Sequence, residues 1–233
     1  MADLDADGTN DLITGCFEGG SYVLKGTKDG FEAPKPVLDK AGSTLRIGQY
    51  WDYEAKKWAG VETSKFKDAL GISAFPVDWD ADGDFDLLIG ANDGRVFLRI
   101  NEGDAKDAKY ATESVQVTAG EQPVTVPGSH AMPVATDWDG DGLFDLVSGG
   151  GGGGVVWYRN TGKRGEPAFA EAQQLVKPGA DGVGQRTQAC VADFDGDGRM
   201  DLVVGDCHYP TETDKAWHGY VWLFRRNGGK EKP

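Results

Sequence analysis

Four segments of this 233-residue chain align without a gap: DLDADGTNDLITG at 3–15, DWDADGDFDLLIG at 78–90, DWDGDGLFDLVSG at 137–149 and DFDGDGRMDLVVG at 193–205. Their first aspartates lie 75, 59 and 56 residues apart. The repetition continues on both sides. Upstream of the later copies runs a short apolar stretch (Phe75 to Val77, Pro133 to Ala135, Ala189 to Ala192). Downstream, past a Gly-rich turn, comes an aromatic stretch ending in Arg or Asn (Val96 to Arg99, Val156 to Asn160, Val221 to Phe224 before Arg226 and Asn227), with Tyr22 to Lys25 as its counterpart in the first unit. A further strand is expected at Phe31, at Tyr110 to Val117 and at Phe169 to Val176. Each unit reads as strand, acidic loop, strand, turn, strand, linker, strand, and only Phe66 to Leu70 offers a candidate helical turn.

Four short antiparallel strands per unit are the content of one propeller blade, whose twisted sheet must stack on its neighbours to bury both faces. The expected fold class is therefore all-β, a β-propeller of four repeat units or blades, alone or as part of a larger propeller. The units run over about 1–66, 67–127, 128–183 and 184–233, with a β-sandwich as the competing architecture. The first unit lacks its first strand and the fourth its last, so either the halves join to close a ring or the chain is a fragment. The fragment is the favoured expectation. Open edges at Leu12–Ile13 and Val221 to Phe224 then predict self-association.

The loops carry the chemistry. Carboxylates at positions 1, 3, 5 and 9 can converge on a hard cation; Gly at position 6 permits the sharp reversal, and the carbonyl of position 7 points inward. The expected metal-binding residues are Asp3, Asp5, Asp7, Thr9 and Asp11 in loop one, and Asp78, Asp80, Asp82, Asp84 and Asp86 in loop two. Loop three contributes Asp137, Asp139, Asp141, Leu143 and Asp145, and loop four Asp193, Asp195, Asp197, Arg199 and Asp201. Thr9, Leu143 and Arg199 enter through their carbonyls. All-oxygen ligation selects Ca2+ over zinc or copper, and magnesium fits less well because it demands near-octahedral geometry. An EF-hand is excluded: its bidentate Glu at position 12 is replaced by Ile89, Ser148 and Val204. A lone Asp-Gly turn needs no ion, but four such loops in register would hold mutually repelling carboxylates for nothing.

The pattern DxDGDGxxDLxxG after an apolar strand resembles the FG-GAP/VCBS repeat, found in α-integrin heads and many secreted bacterial proteins. The resemblance covers all four units. It implies a propeller of roughly seven blades, with about four calcium ions here, one in each surface loop between the first two strands of a blade.

Charge agrees with this reading. The chain has 38 acidic and 24 basic residues, a net charge of −14, and 17 of the aspartates sit in the four loops. Such a field repels polyanions, so no nucleic acid and no membrane insertion are expected. No apolar run is long enough to cross a bilayer, and the start at Met1-Ala2-Asp3 is not a signal peptide. Location is nonetheless expected to be extracellular or periplasmic, because loops without the bidentate Glu bind calcium weakly, roughly 10⁻⁴–10⁻³ M, and fill only outside the cell. Cys16, Cys190 and Cys207 allow at most one disulfide.

Three further stretches stand out. The insertion from Asp206 to His218 holds Cys207, His208, Tyr209 and Trp217; it reads either as an ordinary long hairpin loop or as a ligand loop, with a Tyr/His acid–base pair or a zinc site of Cys207, His208 and His218 as narrower options. The six glycines 149–154 read as a flexible hairpin, since neither Lys-Ser/Thr nor a helix follows as a phosphate loop requires. Tyr50, Trp51, Tyr53 and Trp58 offer aromatic faces for a sugar or for packing, and His130 is most simply structural. The functional expectation is a calcium-stabilised recognition or adhesion module for a glycan or protein ligand. The alternatives are a polysaccharide lyase or hydrolase, for which no Ser/His/Asp order or free acid pair speaks, and a structural spacer.

Overall fold

The computed structural model describes residues 1–16, 18–59, 66, 68–179, 182–210 and 215–226. Its regular elements are all strands, and the backbone at Phe66 and Asp68 forms turns; Lys67 of the candidate helical turn lies outside the described residues, as does Asn227. Four antiparallel sheets follow one another along the chain. The first contains Leu12–Gly15, Ser21–Leu24 and Lys35–Pro36; the second Gly71–Val77, Asp86–Ala91, Val96–Arg99 and Val115–Gln116. The third contains Met132–Thr136, Asp145–Gly149, Val155–Tyr158 and Gln173–Val176; the fourth Gln185–Ala192, Asp201–Cys207 and Val221–Phe224. In the complete units the acidic loop joins the first strand to the second, as the repeat predicts. In the first unit only the bridge between Ala2 and Asp11 stands where the others have a first strand.

Three hydrophobic cores lie between successive sheets, and the second strand of a unit feeds two of them. Leu87 and Ile89 pack toward the first sheet with Val37, Leu45 and Phe97, whereas Leu88 packs toward the third with Leu98, Leu146 and Val156. Val147 and Val155 then pack toward the fourth sheet with Ala189, Leu202 and Val204. A strand buried on both faces cannot alternate apolar with polar, which is why LLI at 87–89 is a continuous apolar run. Each such side chain stabilises the fold by roughly 1.5–3 kcal/mol. The outer sheets alternate instead: Leu12 and Leu223 are exposed, and Val221 is 77% exposed, while Trp222 and Phe224 turn inward.

The glycine that ends each motif shows how closely the sheets approach. A Cβ on Gly15 would lie 2.6 Å from the Ile72 carbonyl of the next unit, one on Gly90 2.0 Å from the Ala131 oxygen, and one on Gly149 2.2 Å from the Thr187 oxygen. Gly205, at the same position of the fourth unit, has no atom within 4 Å.

The structure revises four local expectations. Phe31 belongs to a small hairpin, Gly26–Thr27 with Gly30–Phe31, and the outer strand of the first sheet is Lys35–Pro36, because the chain folds back once more before rejoining the sheet. Tyr50–Asp52 and Lys57–Ala59 form a hairpin that the repeat pattern did not assign, pairing Trp51 with Trp58, whose rings meet edge to face at 5.7 Å. The glycines 149–154 form a packed junction and not a loose hairpin. Buried Thr187 donates to the carbonyl oxygens of Gly150 and Gly154, and a Cβ on Gly151 or Gly153 would fall 2.4 Å from the carbonyl oxygens of Gly128 and Gly184. Arg99 and Arg159, which both follow an aromatic run in the sequence, differ by one register step: Leu87 faces Arg99, whereas Leu146 faces Tyr158. The buried Arg99 guanidinium donates to Ser114 Oγ at 3.0 Å, the Ala111 oxygen at 2.7 Å and the Arg46 oxygen at 2.5 Å, and burial pulls its pKa down to about 10.

Gly149→Ala and Gly90→Ala push a methyl group into a neighbouring backbone and are expected to lose about 1–3 kcal/mol each. Gly205→Ala, at the same motif position, is expected to change stability by less than about 0.5 kcal/mol. Urea denaturation of the three variants, read against wild type, checks the difference.

Candidate metal centres

Position 9 of each loop is an aspartate at the start of the second strand, and all four (Asp11, Asp86, Asp145, Asp201) are buried. One oxygen accepts from the backbone N–H of position 2: Leu4 to Asp11 at 3.0 Å, Trp79 to Asp86 at 3.0 Å, Trp138 to Asp145 at 3.2 Å and Phe194 to Asp201 at 3.1 Å. The other accepts from the residue just past the third strand: Gly26 at 2.8 Å, Asn101 at 2.7 Å, Asn160 at 2.6 Å and Arg226 at 2.8 Å. The side chain thus pins the loop to the third strand. Burial opposes ionisation, pushing Asp86 up to about 7 and Asp145 upward as well, with the two N–H donors pulling the other way. The following asparagines extend the device, since Asn101 Oδ1 accepts from Gly103 and Lys109 and Asn160 Oδ1 from Gly162 and Ala168.

Position 1 shapes the loop. Asp137 accepts from the N–H groups of Gly140, Asp141 and Gly142, and Asp193 from those of Gly196, Asp197 and Gly198, all at 2.8–3.1 Å. Asp3 accepts from Asp7 and Gly8. The position-6 glycines Gly8, Gly83, Gly142 and Gly198 have φ between +86° and +96°, where an L side chain is strained. The position-5 carboxylate turns back onto the N–H of position 7, as Asp7 does for Thr9, Asp82 for Asp84, Asp141 for Leu143 and Asp197 for Arg199.

Within this frame three carboxylates per loop offer oxygens within 4.8 Å of one another. They are Asp3, Asp5 and Asp11; Asp78, Asp80 and Asp82; Asp137, Asp139 and Asp145; and Asp193, Asp195 and Asp197. The grouping is therefore 1, 3, 9 in loops one and three and 1, 3, 5 in loops two and four. Three carboxylate oxygens in these loops, Asp5 Oδ1, Asp84 Oδ1 and Asp139 Oδ1, are buried without a hydrogen-bond partner among the described residues. An orphaned buried carboxylate oxygen is costly, and an all-oxygen donor set is what a hard cation requires, so the residues present fit calcium. In loop two Asp84 supplies a carboxylate where the other loops have Thr9, Leu143 and Arg199; it is 5% exposed, and burial, then the neighbouring Asp82, raises its pKa.

The sequence reading used Arg199 only for its carbonyl and did not single out the other basic residues around these loops. Lys25 pairs with Asp5, Arg159 reaches Asp139 at 2.6 Å and Asp141 at 3.2 Å, Arg199 pairs with Asp197, and Arg225 lies 3.9 Å from Asp195. Lys25, Arg159 and Arg225 share one register position, legible in retrospect as the residue before the one that bonds position 9.

The 206–218 insertion frames a second feature, whose residues 211–214 lie outside those described. Asp206 accepts from the N–H groups of Gly184 and Tyr220, from Trp222 Nε1 at 2.7 Å and from His208 Nε2 at 3.1 Å. Burial opposes ionisation there, but these four donors hold the carboxyl below its ordinary range. His208 is thereby committed, and among the described residues Cys207, His208 and His218 do not form a metal-binding group. All three cysteines are free. Tyr209 lines an open groove of about 580 Å³ together with Gln185, His208 and Gly152, and the Trp217 ring, 60% exposed, meets the Tyr209 ring at 4.7 Å. His130 bonds Ser129 Oγ at 2.7 Å and the Asn92 oxygen through its backbone, a structural role.

The FG-GAP-like repeat family matches residues 137–204, and the FG-GAP repeat family matches residues 186–224. No curated protein matches the chain. Among solved structures the chain is similar, at 19% identity and a TM-score of 0.46, to one described as the basis of specific recognition of non-reducing terminal N-acetylglucosamine by an Agrocybe aegerita lectin. The match covers 94% of this chain and 50% of that one, so the chain spans half the length of that structure.

Asp145→Asn turns one acceptor of the staple into a donor facing an N–H, and is expected to destabilise the protein without metal by about 3 kcal/mol. Asp139 accepts no backbone hydrogen bond among the described residues and pairs only with the partly exposed Arg159, so Asp139→Asn is expected to cost less than about 1 kcal/mol of that stability. Thermal melts in chelator distinguish the pinning carboxylate from the facing one.

Proposed function

We propose, from a chain that carries FG-GAP repeats over residues 137–224, that it is a calcium-stabilised extracellular recognition module whose four sheets are consecutive blades of a β-propeller. The observation that carries this reading is the fourfold convergence of carboxylates on positions 1, 3 and either 5 or 9, with buried oxygens left unpartnered in three of the loops. Asp3, Asp5 and Asp11, Asp78, Asp80, Asp82 and Asp84, Asp137, Asp139 and Asp145, and Asp193, Asp195 and Asp197 would hold the ions. The bound cation would supply charge neutralisation, not catalysis. What the chain's own residues do is hold the acids at close quarters through glycine turns and N–H donors, at a cost in mutual repulsion that a cation removes.

Blade packing is supported by the repeated glycine contact between neighbouring sheets. Gly205 and the exposed Val221 and Leu223 present that same face with no neighbouring sheet among the described residues, and another blade or a second copy of the chain would pack there. Ligand recognition is assigned to the groove beside Tyr209 and Trp217, whose exposed rings and nearby Gln185 and His208 suit a neutral sugar, offering a flat apolar face with polar groups at its rim.

A ligand that binds only the folded state adds about 1.4 kcal/mol per site at tenfold excess over Kd. Four sites together contribute on the order of 5 kcal/mol, so chelation is expected to lower Tm by about 10 °C or more. An unchanged melting curve between metal-free and calcium-loaded protein overturns the reading. For the groove, Trp217→Ala is expected to abolish retention on whichever neutral glycan an array identifies while leaving the calcium-dependent rise in Tm intact.

A further inference from the structure

We propose that the residue immediately following the third strand of each unit sets the order in which the loops take up divalent cations, with loop two filling first. The inference rests on the calcium reading above and concerns how the four sites differ. Their common register is fixed twice over. The second-strand residues Leu12, Leu87, Leu146 and Leu202 face Leu24, Arg99, Tyr158 and Phe224, and the position-9 aspartates bond the backbones of Gly26, Asn101, Asn160 and Arg226. The residues between these two fixed points are Lys25, Ile100, Arg159 and Arg225. In units one, three and four this position is a base that approaches the position-3 carboxylate, Asp5, Asp139 or Asp195. In unit two it is an isoleucine packed against the core between the second and third sheets.

The loops therefore differ in the charge a cation meets. Loops one and three hold four aspartates and one tethered base. Loop four holds four aspartates with Arg199 and Arg225, and loop two holds five aspartates with no ion-pair partner among the described residues. A tethered base neutralises part of the attraction that draws a divalent ion and must be displaced from the carboxylate that would bind it. Its side chain is 44% exposed in the case of Arg159, so release to water is cheap and screening is strong, and the effect is roughly tenfold in affinity per charge, not the far larger figure a dry site would give. Loop two gains further from Asp84, whose buried Oδ1 has no partner. The same bases hold loops one, three and four together when metal is scarce, leaving loop two the most dependent on it.

Terbium is the probe, because Trp79 and Trp138 directly follow the first aspartates of loops two and three and can sensitise its emission. Titration of the full chain is expected to show two phases, the tighter one lost in Asp80→Ala and the weaker one lost in Asp139→Ala. Arg159→Gln is expected to shift the weaker phase about tenfold tighter, whereas Arg159→Lys, which keeps the charge, leaves it in place. Calcium is expected to displace the two phases in reverse order. Loops two and three filling together, loop three filling first, or an unmoved phase in Arg159→Gln overturns the inference while leaving the calcium reading standing. No sensitised emission at either loop overturns both.

Discussion

One buried carboxylate per unit organises this molecule. The aspartate at position 9 receives an N–H from its own loop on one oxygen and an N–H from beyond the third strand on the other, in all four units, at 2.6–3.2 Å. Acidic loop, central strand and third strand are thereby held as one rigid element. The carboxylates at positions 1 and 3, joined by position 9 in loops one and three and by position 5 in loops two and four, crowd together because this anchor and the glycines that let the loop reverse hold the chain there. Burial works against the ionised form at Asp86 and Asp145, and the paired donors work for it. The staple is thus a compromise that removing either donor would upset.

Between units a different constraint operates. A twisted sheet with two apolar faces must be covered on both, and here the cover is the next sheet, brought close enough that Gly90 and Gly149 leave no room for a methyl group. The Tyr158 hydroxyl donates to the Thr125 oxygen at 2.6 Å, a polar tie across the same boundary. The six glycines 149–154 belong to this closeness: they are where the backbones of units two, three and four meet. Glycine there reflects crowding, the opposite of the looseness its lack of a side chain suggests.

The loops resolve their excess charge in more than one way. Lys25, Arg159, Arg199 and Arg225 are fixed partial answers built into three units, whereas the aspartates of loop two have no ion-pair partner among the described residues, although Arg164 lines a groove with Asp78. The repeat keeps its acids but varies its bases, and on the proposed reading its four loops would differ in their demand for a cation while sharing one fold.

What the sequence determined by itself lies within the span of a single motif. Acid positions, sharp glycine turns, the apolar central strand and the aromatic third strand follow from a thirteen-residue pattern whose periodicity dictates local geometry, and the family resemblance rested on the same residues. The tertiary structure decided what depends on partners tens of residues away. It made Asp145 a structural anchor as well as a neighbour of Asp137 and Asp139. It separated Arg99, buried among backbone carbonyls, from Arg159, turned to an acidic loop, although both end an aromatic strand. It also converted a glycine run into a packed junction. Side-chain direction in a strand alternates with each residue, so a register difference of one reverses a residue's surroundings, and register is set by pairing with another strand, which no local pattern contains.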